Sequence, residues 1–269
     1  MSSSIFAEKG KQMKKFLILF LAFANLAFGN PPFWGKTGHR VVGEVAEMHL
    51  SRKARKMVRK ILNGRSLASV SNYADDIKSD SLYNQYYPWH YVNYPADKTY
   101  GEEPPSEEGD IVMAIQTCIG KLEDRQTSDD QREFYLKMLI HFIGDLHQPL
   151  HAGWEENRGG NDIEIQWFRE KSNLHRLWDS DLIEHFGMSY TELANDLPPM
   201  SKQALLEMQA GNVRTWVDES HRLATSIYGS VTPGERLGYR YKYVYWETVE
   251  RQLLKGGVRL AAVLNDLFR

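Results

Sequence analysis

QREFYLKMLIHFIGDLHQPLH, residues 131–151, decides how this 269-residue chain is read. Apolar residues recur through it at three- and four-residue spacing, which predicts a long helix rather than a strand. His141 and Asp145 stand four apart and so share one face of that helix. Pro149 ends it, because proline lacks an amide proton and clashes with the preceding turn, and His151 then turns back. Imidazole nitrogen and carboxylate oxygen are good zinc ligands at roughly 2.0 to 2.2 Å. The flanking Ile140, Phe142, Ile143 and Leu146 predict that the pair is buried, and buried charge demands a partner or an ion. His147 falls off the shared face and reads as a supporting or core histidine.

The same spacing recurs downstream, where NLHRLWDSDLI puts His175 and Asp179 on one face of a short helix. Asp75, in SNYADDIKSD, and His90, in PWHYVNY, are further candidates for the same site. Helical period also marks HRVVGEVAEMHL, SRKARKMVRKIL with Ser51 as its cap, GDIVMAIQTCIGKLEDR, NVRTWVDESHRLATSIY and the closing stretch from Tyr239. Only WHYVNY and DIEIQW read as extended, enough for short strands or a hairpin. The loops DKTYGEEPPSEEG and TPGERLG carry Pro and Gly and read as surface connections. With 42% hydrophobic residues, the chain has material for a sizeable core. The expected fold is therefore mainly α, one compact helical domain with a small β-hairpin.

Composition narrows the chemistry. Cys118 is the only cysteine, which excludes an intramolecular disulfide and any thiolate zinc cluster. A formal net charge of −2 gives no global field that draws the protein onto polyanions. If nucleic acid is the substrate, local cations must hold it. At the front, Met13, Lys14 and Lys15 precede FLILFLAFANLAFG, the build of a secretory signal peptide. Its apolar run is shorter than the roughly 20 residues that span a bilayer, so no stable membrane insertion is expected. Residues 1–33 are read as a leader whose start is Met13, with small residues Ala27 and Gly29 at the cleavage positions. The protein is expected to be secreted or periplasmic.

Taken in order, WGKTGH, YADDI, WHYVNY, HFIGDLHQPLH, GGND and NLHRLWD resemble the zinc-dependent single-strand-specific nucleases of fungi and plants, the nuclease S-one/P-one family. That fold is shared with the bacterial zinc phospholipases C. The resemblance runs from Trp34 to the carboxyl end, residues 34–269, and without disulfides or an Asn-x-Ser/Thr sequon the chain resembles a bacterial version. It implies three Zn²⁺ ions and cleavage of single-stranded DNA and RNA to 5′-phosphorylated products, with 3′-nucleotides as further substrates. One zinc would take Asp75, His90, His141 and Asp145, and a second His151, His175 and Asp179. The third would take His39, a bridging Asp145, and the terminal amine and carbonyl of Trp34, which requires trimming past Gly29 to expose that amine.

Under the same resemblance Asp75 also orients or deprotonates the attacking water, and Lys78 sits beside the phosphate where relatives often have Arg. Tyr91 matches an aromatic base platform and Asn93 a base-edge contact where several relatives have Asp. Gly159, Gly160 and Asn161 are expected to let the backbone approach the base. A monomer is expected. The rival readings are a zinc phospholipase C, with the same metal set, and a non-catalytic secreted zinc-binding protein.

Overall fold

A computed structural model describes residues 35–269. The predicted leader and Trp34 lie outside the described residues. In chain order the helices are α1 (Lys36–Met48), α2 (Arg52–Ile61), the single turns α3 (Leu67–Val70) and α4 (Tyr73–Asp76), α5 (Ile111–Glu123) and α6 (Asp129–Leu146). After a hairpin of β1 (Glu164–Trp167) and β2 (Glu170–Asn173) come the turns α7 (Leu174–Arg176) and α8 (Leu182–Glu184), then α9 (Tyr190–Asp196), α10 (Lys202–Gln209) and α11 (Val213–Tyr228). A two-residue strand, β3 (Arg236–Leu237), precedes the closing helix α12 (Tyr239–Leu267). No described helix is long and apolar enough to cross a membrane.

The expected caps and periods explain most boundaries. Ser51 accepts the Ala54 amide at 3.1 Å and starts α2. Ser128 and Gln131 form a reciprocal capping box at the head of α6, which satisfies two otherwise orphaned donors. From Met138 to Leu146 every residue of α6 is buried, because α6 is enclosed by neighbours instead of lying on the surface. Its last two turns carry His141 and Asp145 through the middle of the apolar core.

The sheet differs from expectation in two respects. WHYVNY forms no strand. Ser81–His90 is a 3₁₀ segment, begun by the Asp80 carboxylate accepting the Leu82 amide. The chain becomes extended only at Tyr91, where Val92 and Tyr94 donate amides to the carbonyls of His151 and Gly153. The hairpin is instead DIEIQW folded onto residues 170–173, with Glu164 opposite Asn173 and Trp167 opposite Glu170. β3, inside the expected TPGERLG loop, adds to β1 in parallel, too short to leave a periodic trace.

A candidate metal centre

The end of α6 is where separate parts of the chain converge. His39 comes from α1, Asp75 from α4, His90 from the end of the 3₁₀ segment, and His141 and Asp145 from α6. His151 lies in the one-turn Pro149–Ala152 helix, while His175 and Asp179 lie in α7 and the π-turn Leu177–Asp181 that follows it. Three groups of ligand atoms result: His39, His141 and Asp145; Asp75, His90 and His141; and His151, His175 and Asp179. Within each group the atoms lie within 4.8 Å of one another.

His141 is common to the first two groups, and Asp145 touches all three. Its Oδ2 lies 2.9 Å from His90 Nδ1 and 3.1 Å from His141 Nε2. Its Oδ1 lies 3.3 Å from both His39 Nε2 and His151 Nδ1. His39 packs flat on His141 with ring centroids 3.9 Å apart. That approach requires Gly144, since a Cβ there would sit 2.7 Å from His39 Nδ1. Asp179 has a narrower circle, with Oδ1 3.3 Å from His151 Nε2 and Oδ2 3.2 Å from His175 Nε2.

Main-chain carbonyls fix which ring nitrogens face inward. His141 Nδ1 donates to Ser71 O at 2.7 Å, His151 Nδ1 to His90 O at 2.9 Å, and His175 Nδ1 to Gly159 O at 2.7 Å. A carbonyl only accepts, so each Nδ1 carries the proton, and in the neutral ring Nε2 keeps its lone pair for a metal. Asp145 Oδ1, His151 Nε2 and Asp179 Oδ2 are buried without a hydrogen-bond partner among the described residues. Three carboxylates packed together with so little hydrogen bonding need cations. The donor set therefore fits zinc.

The protonation pattern tells the same story. Burial opposes protonation of His141, but Asp145 and Asp75 outweigh it and raise its pKa to about 10. His151 is raised by Asp145 and Asp179 against its burial. Burial pushes the Asp75 carboxyl up, yet His141 and Lys78 hold it well below the usual range. Asp179 ends at about 2, its burial outweighed by His175 and His151. The carboxylates thus favour positive charge at His141 and His151, while burial keeps His39 and His90 neutral.

The remaining predicted residues surround this centre. Lys78 Nζ donates to Asp75 Oδ1 at 2.8 Å and also lies over the Tyr87 ring. Tyr91, 38% exposed, and Asn93 line a cleft of about 910 Å³ whose other walls include Tyr100, Arg158 and Arg214. Tyr91 follows His90 and Arg158 precedes Gly159 in the chain, but none of the residues that line the cleft is a candidate ligand. Gly159, Gly160 and Asn161 do not line it. Gly159 and Gly160 adopt φ of 64° and 86°, and a Cβ on Gly159 would meet Leu150 O at 2.6 Å. Their evident work is to bring the Gly159 carbonyl onto His175, while the Asn161 amide donates to Arg158 O.

His147 is a core histidine, bonded through Nδ1 to Ile143 O and through Nε2 to Arg259. One site residue gave no spacing signal: Gln148. It is 1% exposed, its amide donates to Asp179 Oδ1, and its own oxygen accepts the Leu150 amide at 2.6 Å. Gln148 thereby holds one oxygen of Asp179 and turns Oδ2 toward His175.

A helical fold that gathers adjoining histidine–aspartate groups defines a class, helical proteins with clustered candidate metal ligands. The S1/P1 Nuclease family matches residues 34–269, and the chain belongs to that family. It is 31% identical to Endonuclease 2 of Arabidopsis thaliana over 87% of this chain and 90% of the relative. Against Endonuclease 4 of the same plant the identity is 32%, over 87% and 89%. Nuclease P1 of Penicillium citrinum is 25% identical over 87% of this chain and 97% of its own. Family membership makes the protein a hydrolase acting on nucleic-acid esters.

Proposed function

We propose that this chain is an exported, zinc-dependent endonuclease that cleaves single-stranded DNA and RNA to 5′-phosphorylated products and also removes the phosphate of 3′-nucleotides. The observation that carries the reading is the set of inward-facing imidazole nitrogens, fixed by carbonyls, around two buried carboxylates that each keep one oxygen without a hydrogen bond, Asp145 Oδ1 and Asp179 Oδ2. Asp75, His90, His141 and Asp145 hold one ion; His151, His175 and Asp179 hold a second. His39 and Asp145 hold a third, with the terminal amine and carbonyl of Trp34 as the family resemblance implies. The two Asp145 oxygens, turned toward different histidines, support the bridging role.

Zinc bound in these groups supplies Lewis acidity for attack on the phosphodiester and neutralises charge on its oxygens. Asp75 orients the attacking water and accepts its proton, with the Lys78 ammonium 2.8 Å away favouring the ionised carboxylate. Lys78, held 2.8 Å from Asp75, stabilises charge developing on the phosphoryl oxygens. A base unstacked from its strand lies against Tyr91, a contact worth roughly 1 to 3 kcal/mol, with Asn93 at its edge. Paired bases present no free face, hence the preference for single strands.

The test takes the exported protein, measures intact mass and zinc content, and assays single-stranded DNA, RNA, duplex DNA, a 3′-nucleotide and phosphatidylcholine. A chain starting at Trp34 with three zincs and single-strand cleavage is the expected result. Lipid cleavage alone would transfer the site to the phospholipases, and zinc without hydrolysis would make it a binding protein.

A further inference from the structure

The net charge of −2 conceals a local excess. Helix α2 reads RKARKMVRKI, with six basic residues in ten and no acid. Arg55 and Arg59 reach a single carboxylate, Glu47, at 3.8 and 3.9 Å. Arg52, Lys53, Lys56 and Lys60 are exposed and make no ion pair among the described residues. The arrangement works against the helix. Arg52 with Lys56 and Lys56 with Lys60 are like charges four apart, which repel. Arg52 and Lys53 also sit at the positive end of the helix dipole. Ordinary solvated faces mix both signs, whereas a surface that repels itself is relieved by a polyanion.

We propose that α2 is a docking surface for the phosphate backbone of a nucleic-acid strand outside the catalytic cleft. The inference rests on the nuclease reading above. A membrane is the less suitable polyanion, because Ala54 and Val58 are spent in the core and Met57, 39% exposed, is the one exposed apolar side chain of α2. An interfacial helix needs a whole apolar face to insert. α2 also carries no aromatic residue, so it has nothing on which bases stack and reads phosphate alone. His39 stands nine residues before Met48 on α1, about 14 Å at 1.5 Å per residue, and α2 starts beyond that end. The surface therefore engages flanking nucleotides rather than the scissile one.

The test compares the zinc-loaded enzyme with the fourfold variant Arg52→Gln, Lys53→Gln, Lys56→Gln and Lys60→Gln. Glutamine keeps helix propensity, and circular dichroism and Tm monitor folding. On a thirty-nucleotide oligothymidylate, KM is expected to rise about tenfold and the log–log salt slope to fall by up to about 3, at roughly 0.7 per phosphate lost. On a 3′-nucleoside monophosphate, kcat and KM stay unchanged. Restoring charge with Lys53→Arg, Lys56→Arg and Lys60→Arg, Arg52 being native, returns the wild-type salt slope. An unchanged KM and slope on the oligonucleotide would overturn the proposal, as would equal losses on both substrates. It would also be overturned if the fourfold variant lost binding to phosphatidylglycerol vesicles while oligonucleotide kinetics stayed the same. Failure of the wild-type enzyme on every nucleic-acid substrate would instead count against the nuclease reading itself.

Discussion

Two histidine–aspartate pairs share one spacing and hold different places in the centre. His141 and Asp145 sit in regular α6, where four neighbouring histidines crowd one carboxylate. His175 and Asp179 span a turn of α-helix and a π-turn, and Asp179 meets two histidines and Gln148. The first carboxylate is a hub and the second a spoke. Spacing puts donors on one face, but the elements packed against that face decide how many histidines a carboxylate meets.

The largest expected effect tests that contrast directly. Asp145→Ala should lose two ions together and lower kcat/KM by more than about 10³-fold, read by zinc analysis and single-strand cleavage. Retention of all the zinc would sink the hub assignment. Asp179→Ala should release one ion while the other two remain, and loss of every ion would erase the difference between the pairs. Gln148→Leu should weaken the Asp179 ion about 10- to 100-fold, the usual scale for a group that orients a ligand. Competition with a chelator measures this, and cobalt substitution should change the absorption spectrum of that one site.

The smallest effect is in protons. His141 and His151 have raised pKa values in the metal-free protein, so zinc uptake near pH 7 should release protons. Calorimetry in buffers of different ionisation enthalpy counts them. For stability the signs oppose. A histidine raised to about 10 stabilises the metal-free fold below the unfolded value of 6.5, and this is lost as pH climbs through 10. His147, lowered to about 3 by burial and Arg259, favours the fold above 6.5, and that contribution fades as pH falls from 6.5 to 3. Metal-free protein should therefore lose Tm toward both acid and alkali, and a Tm independent of pH would contradict both assignments.

Much of this was legible in the sequence. The long periodic segments became α1, α2, α5, α6, α11 and α12 within a few residues at each end. Helices α9 and α10 went unread, although Ser189 with Glu192 is a capping box, because seven or eight residues give too little period. WHYVNY reads as extended from its aromatic and β-branched residues, but Trp89 and His90 close the 3₁₀ segment and only the stretch from Tyr91 is extended. Within the site, local spacing revealed the two pairs, and resemblance supplied His39 and the grouping. The carbonyl clamps were invisible, because the partners of His141 and His151 lie 70 and 61 residues away and every residue type carries a carbonyl.

That last point reaches into how the site tolerates change. Ser71, His90 and Gly159 orient three imidazoles with main-chain oxygens, atoms that no substitution deletes. At Ser71 the side chain is therefore free to drift without disturbing a tautomer, whereas His90 is itself a candidate ligand and Gly159 has no room for a Cβ. Gln148 enjoys no such protection, since its hold on Asp179 resides wholly in the amide. Random mutagenesis scored for zinc retention should therefore spare Ser71 and collect its lesions, outside the ligands themselves, at Gln148 and at Gly144 and Gly159, which have no room for a Cβ.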